Sequence, residues 1–362
     1  MFQTWYTIYM KTRQRSLFDE ANQMDKLSKM GDPLERLNGV INWEMFRSIL
    51  QKSVVRREPT EKGGRPPYDV VLMFKILVLQ RLYNISDDQT EYQINDRLSF
   101  KRFLGLVIGD PVPDAKTIWK FRNDLSQTDA IEKVFCMFDE ALEAEGLITH
   151  KGTIVDATFV DVPRQRNNRQ DNQTIKDGNI PEEWTTPENA SMFAQKDTDA
   201  RWAKKNEETH YGYKNHVKCD ATSKFITNYA VTDASVHDSK RCIDLLDNKD
   251  NALFADSAYV GSDIADYLPD GCANKICEKG YRGNPLTEKQ KASNRRKSKT
   301  RCRIEHIFGF MTNSMGGITI RSIGITRAWV NIGIMNLVYN FSRYAYVKCK
   351  RHRRGYNYAL NR

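Results

Sequence analysis

The sequence predicts an α/β domain built on a mixed sheet and preceded by an all-α region. Three observations carry this. From Asp32 to about Gly146, apolar residues recur at helical spacing. After Gly146, short β-branched runs alternate with helical stretches in the order β-β-β-α-β-α-β-α, the pattern of an α/β layer. The chain has 362 residues, 40% hydrophobic and 28% charged, so it is large enough for two domains and too apolar for a disordered polyelectrolyte.

Residues 1–30 are polar and irregular and read as a flexible arm. Asp32-Pro33 starts a helix with Leu34, Leu37, Ile41, Met45 and Ile49 near one face. The Gly- and Pro-rich segment Arg57–Pro67 is a loop. Val70–Tyr83 is a strongly apolar helix, and helices follow at about Asp87–Arg97 and Ile131–Glu145. Between them, Pro113-Asp114 opens the helix Ala115–Leu125, whose Lys116, Lys120 and Arg122 suit either a DNA-recognition helix or an ordinary bundle helix.

In the second half, Lys151–Val160 is a strand with Val155, Ala157 and Phe159 on one face and Asp156 and Thr158 on the other. Arg164–Glu208 reads as a long polar excursion containing Trp184 and Trp202. Tyr211–Cys219 and Phe225–Thr232 form a hairpin, followed by a helix at His237–Leu246 and a buried strand at Ala252–Asp256. A helix near Asp263–Leu268, a strand near Asn274–Cys277 and a long helix over about Thr287–Met311 come next. The last helix, about Thr326–Val347, is interrupted by Arg327, Asn331, Asn336, Asn340 and Arg343, which argues for an amphipathic helix and against a membrane span. The expected division is therefore an arm at 1–30, a helical domain at 31–146, an α/β domain at 147–347 with an insertion at about 164–208, and a basic tail at 348–362.

The net charge of +10 is concentrated. Eight cations fall between Lys289 and Arg303 with no acid among them, and Lys348, Lys350, Arg351, Arg353 and Arg354 add five more. Removing these thirteen turns +10 into −3, so the basicity is two patches suited to a polyanion, or a solvated helix face with a basic tail. The seven Cys are scattered and none lies in a CxxC pair, as expected for a reduced cytoplasm without a structural zinc. Met1–Met10 is too short for a signal peptide.

Three acids have unusual neighbours. Asp156 sits inside the apolar strand TIVDATF, Asp256 ends the run LFAD, and Glu305 lies among Ile304, Ile307 and Phe308, one turn from Arg301. A carboxylate in such a setting needs a partner or a metal. Three convergent carboxylates are hard oxygen ligands of the kind Mg²⁺ prefers, and two such ions about 4 Å apart suit phosphodiester chemistry. Singly, each acid reads as a cap or an ion-pair member.

The strings VDATFVDVP, HYGYKNHVKCD, VTDASVHDS, FADSAYVG and RCRIEHIFG, in this order, resemble a DDE transposase of the insertion-sequence-five family, over roughly residues 30–347. The resemblance implies an RNase H-like catalytic domain behind a helical DNA-binding region. It implies Asp156, Asp256 and Glu305 as catalytic, metal-holding residues, with Asp256 at the fourth strand, and two Mg²⁺ ions (or Mn²⁺ in their place) as cofactor. The implied partners are double-stranded DNA, both the element's terminal inverted repeats and target DNA, and further copies of the chain in a homodimer or higher oligomer. The implied setting is a prokaryotic cytoplasm, at the nucleoid, without a membrane. The family's helix signature is Tyr-x2-Arg-x3-Glu-x6-Lys; Arg301 matches its Arg, while Ser298 and Thr312 stand at the Tyr and Lys positions.

The expected DNA contacts are Arg295, Arg296, Lys297, Lys299, Arg301 and Arg303 on the basic helix and Lys116, Lys120 and Arg122 on Ala115–Leu125. His210 and His216 read as structural, Asp233 or Ser235 as a cap, and Trp184 and Trp202 as small-core anchors in preference to base platforms. The leading function is a transposase that cleaves at its element's ends and transfers the 3′-OH to target DNA. A catalytically impaired DNA-binding derivative of such an element is the alternative, and a nonspecific RNase H-like nuclease the third reading, disfavoured by the long helical region.

Overall fold

A computed structural model describes residues 18–54, 66–205, 207–261, 264 and 266–360, with side chains through residue 350. The helical half comprises α1 (Asp19–Met30), α2 (Pro33–Val40), α3 (Arg47–Ser53), α4 (Val70–Tyr83), α5 (Asp87–Asp96), α6 (Leu98–Leu104), α7 (Ala115–Leu125) and α8 (Ala130–Ala144). Side-chain caps explain several starts: the carboxylates of Asp32, Asp69 and Asp114 accept backbone N–H bonds from Leu34, Val71 and Thr117. α4 ends at Asn84, which takes a left-handed conformation at φ 47°.

Two expectations change here. The second part of the presumed arm is helix α1, while residues 1–17 lie outside the described residues. The helix expected over Leu34–Ile49 is broken, because Ile41 is extended and a 3₁₀ turn occupies Trp43–Phe46. The break turns both Trp43 and Phe46 inward against Phe74 and Phe341. The loop at Arg57–Pro67 falls mostly on residues 55–65, also outside the description.

The sheet strands are β1 (Thr153–Asp161), β2 (Arg201–Lys205), β3 (Glu208–Asp220), β4 (Ile226–Asp233), β5 (Ala252–Phe254) and β6 (Ala273–Asn274). Their order is β2-β3-β1-β5-β6, with β4 also on β3. β3 is long enough to serve two partners on one edge: β2 pairs with its residues 208–212 and β4 with 213–219. β1 runs antiparallel along the other edge, and β5 and β6 add in parallel, giving the mixed sheet expected. Gly212 is required where β1 and β3 close up, since a Cβ there would lie 2.3 Å from the Val160 carbonyl oxygen. Strand β2 was hidden in the polar excursion, because its sequence RWAKK has no apolar alternation and it lies on an edge. The acid of LFAD consequently follows the fifth strand and not the fourth. The rest of the excursion forms α9 (Arg169–Lys176) and α10 (Ala190–Phe193), with Trp184 buried against Phe193.

The segment after β4 is a 3₁₀ turn, Asp238–Arg241, leading into the single turn α11 (Cys242–Leu245). The expected helix near Asp263–Leu268 includes positions 263 and 265, which are outside the description. The expected long basic helix is also divided. α12 (Glu288–Arg301) buries no residue, whereas Ile304, Ile307 and Met311 are fully buried. A turn at Cys302–Ile304 re-aims the chain between them, and α13 (Glu305–Gly309) and a π turn at Phe310–Ser314 follow.

The last helix, α14 (Ile325–Leu360), extends through most of the presumed basic tail, where Lys348 pairs with Glu145 at 2.7 Å. It is central and not peripheral: α14 packs on β4 on one side and on α2, α4 and α8 on the other. Two of the Asn residues that interrupt it, Asn336 and Asn340, are buried anchors, whereas Asn331 is half-buried and bonds Ser322 and the Arg327 carbonyl. Asn336 and Asn215 exchange side-chain hydrogen bonds, and Asn340 bonds both the N–H and the C=O of Ile226. One apolar core therefore runs from Leu34 in the helical half through the sheet to Ala345. Among the described residues, no helix is long and apolar enough to cross a membrane.

Candidate active site

Asp156 and Asp256 meet because of strand register. Ile154 on β1 pairs with Phe254 on the parallel neighbour β5, so each acid lies two residues beyond that pair. The Asp256 carboxylate accepts a bond from the Ala258 N–H at 2.7 Å, which caps the turn Ser257–Tyr259 and fixes its direction. Glu305 reaches the same place from the first residue of α13. Arg301, the last residue of α12, joins the set: its guanidinium lies 3.3 Å from Asp156 Oδ2 and 3.3 Å from Glu305 Oε1.

Electrostatics mark Asp156 as the strained member. Burial first, and then the charge of Asp256, push its carboxyl up to about 6, against the Ala157 N–H and Arg301, which favour the ionised form. Its side chain is 15% exposed while that of Glu305 is 61% exposed, so the site opens on the Glu305 side. Lys205 on the unforeseen strand β2 adds positive charge near Asp156; its only trace in the sequence was the cation run RWAKK.

The donor chemistry suits a hard divalent cation: three carboxylates, two of them adjacent, with a guanidinium supplying the positive charge between two members. Among the described residues, no three His, Cys, Asp or Glu side chains are drawn close enough together to hold a metal ion as they stand. Arg301 lies between two of the acids, Asp156 and Glu305, instead.

The expected DNA contacts divide. Arg295, Arg296 and Lys299 are exposed, and among the described residues no carboxylate pairs with them. Lys297 is tied to the Ile276 carbonyl at 2.9 Å and to Glu278, and Arg303 donates to the Ala221 carbonyl at 2.7 Å. On α7, Lys116 is exposed and Lys120 pairs with Asp124. Arg122 is turned inward instead, in a two-pronged pair with Asp87 at 2.7 and 2.8 Å. Ser298 faces Cys277, and Thr312 is exposed on the π turn.

The histidines take structural positions. His216 is buried with Nε2 2.9 Å from Thr232 Oγ1, and burial pushes it down to about 4, so it is neutral at pH 7. His210 stacks flat on Phe159 and meets Asp161 through Nδ1. Asp233 accepts from the Ser235 N–H, and His237 caps the turn that follows. Trp202, 40% exposed, leans on Tyr211.

Residues 148–341 match the family described as Transposase DDE domain, and residues 22–124 match the one described as Transposase domain (DUF772). The chain is also similar to a solved structure titled "Cryo-EM structure of piggyBac transposase synaptic complex with hairpin DNA (SNHP)". That similarity has a TM-score of 0.41 at 11% identity and covers 86% of this chain and 75% of the other. The first match spans more than half of the 362 residues and contains Asp156, Asp256 and Glu305. The chain belongs to the DDE transposase family.

Proposed function

We propose that this chain is an insertion-sequence transposase of the insertion-sequence-five type. It binds the terminal inverted repeats of its element, cuts phosphodiester bonds there and joins the freed 3′-OH ends to target DNA. The observation that carries the reading is the register-matched pair Asp156 and Asp256 with Glu305 beside it and Arg301 between. The strand path β4-β3-β1-β5-β6, antiparallel on one side of β1 and parallel on the other, supports an RNase H-like catalytic domain over residues 147–347.

Asp156, Asp256 and Glu305 would hold two Mg²⁺ ions, or Mn²⁺, which supply Lewis-acid activation of the attacking oxygen and charge relief at the leaving one. The chain's own residues do the rest. The acids must be ionised, so raising the pH through about 6 charges Asp156 for its task. Arg301 balances Asp156 and Glu305, and its guanidinium, at the edge of the site, is placed to hold a phosphate oxygen. Arg295, Arg296 and Lys299 project from α12 just before it and grip the backbone of the same strand. Both reaction steps are attacks on phosphorus, by water and then by a 3′-OH, so one site serves both.

In this reading the helical half, residues 31–146, reads the repeats through the exposed Lys116 and Lys120 face of α7. The protein acts as a homodimer or higher oligomer on DNA, in a prokaryotic cytoplasm at the nucleoid. The test is strand cleavage and gel shift with full-length Asp156→Asn, Asp256→Asn and Glu305→Gln on duplexes carrying the repeats. Each should lose cleavage while keeping end binding within about threefold. A variant that cleaves like the wild type in Mg²⁺ removes that residue from the set. The full chain is used because α14 completes the core of the helical half.

A further inference from the structure

The helical half and the α/β half enclose a cavity of about 390 Å³, within the range of about 300–1,000 Å³ typical of ligand sites. Its wall carries four guanidinium groups, Arg81, Arg122, Arg321 and Arg327, against two carboxylates, Asp87 and Asp88. Arg122 pairs with Asp87, whose carboxylate also feels the more distant charge of Arg321. Among the described residues, no carboxylate lies within ion-pair distance of the other three arginines. Their partners are neutral oxygens.

Arg81 is the telling one. It is 6% exposed, donates to the carbonyls of Thr319 and Gly317 at 2.8 and 3.0 Å, and has a buried Nε with no hydrogen-bond partner among the described residues. Burial and the neighbouring Arg321 push it down to about 10, still charged at pH 7. Among the described residues, Arg321 reaches only Asn84, at 3.3 and 3.4 Å, and Arg327 reaches Asn123 and the Ile323 carbonyl at 2.9 and 3.2 Å. A buried cation compensated by carbonyl dipoles alone is costly, and a second cation beside it raises that cost. An anion in the cavity would relieve both.

We propose that this cavity is a phosphate-binding site, seating one phosphate group against Arg321 and Arg327 with Arg81 as the charge behind them. Guanidinium forks match phosphate oxygens in pairs, which a solvated lysine patch does not do. The site stands apart from the three acids and does not depend on their role. The half-exposed Trp119 at its wall provides a reporter. Two sources share this chemistry, a backbone phosphate of bound DNA and a free phosphate or phosphate ester.

The experiment uses full-length protein in EDTA, so that no strand is cut and catalysis plays no part. Binding of inorganic phosphate is followed by calorimetry and by tryptophan fluorescence, with Trp119→Phe to assign the signal. Binding of a random duplex is followed as a function of salt. Arg321→Gln/Arg327→Gln should bind phosphate at least tenfold more weakly than the wild type, and Arg321→Lys/Arg327→Lys should recover part of the loss. If the source is DNA, the Gln variant also loses roughly 0.9 from the slope of log K against log salt, the value of one phosphate contact. An unchanged slope with lost phosphate binding assigns the site to a free phosphate or ester. Phosphate binding absent in the wild type, or equal in the Gln variant, overturns the proposal. Arg321→Gln alone, at an exposed position, gives the same readings if the double variant fails to fold.

Discussion

Replacing Asp156 by Asn separates what the site costs the fold from what it does. The carboxyl is raised from 3.8 to about 6 in the folded chain, chiefly by burial. For an acid raised in this way, the stabilising contribution is complete below about pH 3.8 and is lost as pH rises through about 6. A shift of about two units at about 1.4 kcal/mol each makes the ionised group cost up to about 3 kcal/mol at pH 8. Asn keeps an oxygen for the Ala157 N–H and gives up the partly exposed contact to Arg301, worth under about 1 kcal/mol. Asp156→Asn should therefore be more stable than the wild type by about 1–3 kcal/mol at pH 8 in EDTA, and the gap should close below about pH 4. Urea unfolding at pH 8, 6 and 4 reads the difference. Added Mg²⁺ should stabilise the wild type by about 1.4 kcal/mol per tenfold excess over its dissociation constant and leave the variant unmoved. A variant less stable at pH 8, or a difference that does not change with pH, refutes the account of Asp156 as a carboxylate held in deficit of positive charge.

Removing Arg295, Arg296 and Lys299 together should lower the salt slope of duplex binding by roughly 2.7 if each meets one phosphate, with sequence preference retained; a filter-binding salt titration that leaves the slope unchanged places these cations in solvent. Arg301→Gln should reduce cleavage by tenfold or more while weakening duplex binding less than threefold, since it touches two of the acids; equal losses in single-turnover cleavage and in gel shift would make it a simple phosphate contact. Gly333→Ala tests the packing of α14: helix propensity favours Ala by about 1 kcal/mol. A Cβ there would, however, lie 2.4 Å from Tyr229 Oη and 2.6 Å from Ile131 Cγ2. A net loss of about 1–3 kcal/mol in urea unfolding is expected, and a gain in stability would mean that α14 does not sit against β4 and α8 as described.

Local signals in the sequence were sufficient for the parts that depend on local physics. Apolar periodicity marked α4 and α8, Asp114 marked the start of α7, and the β-branched run marked β1. The acids Asp156, Asp256 and Glu305 were visible because a carboxylate among apolar neighbours violates the ordinary pattern. Long-range geometry was not visible. Edge strand β2 has no apolar face to alternate, because its ladder with β3 holds it in place. Asn336 and Asn340 of α14 looked like the polar face of a surface helix, yet they are the buried hydrogen-bond partners of β3 and β4. Arg122 looked like a free cation until Asp87 was brought beside it. The turn at Cys302–Ile304, which carries Glu305 away from the basic helix, exists because Ile304 and Ile307 must both reach the core. The sequence by itself determined the helical first half, the main strands with an apolar face and which acids are out of place. Only the tertiary structure decided which polar groups are partnered, because partners distant in the chain meet only once one core, shared by both halves, has formed.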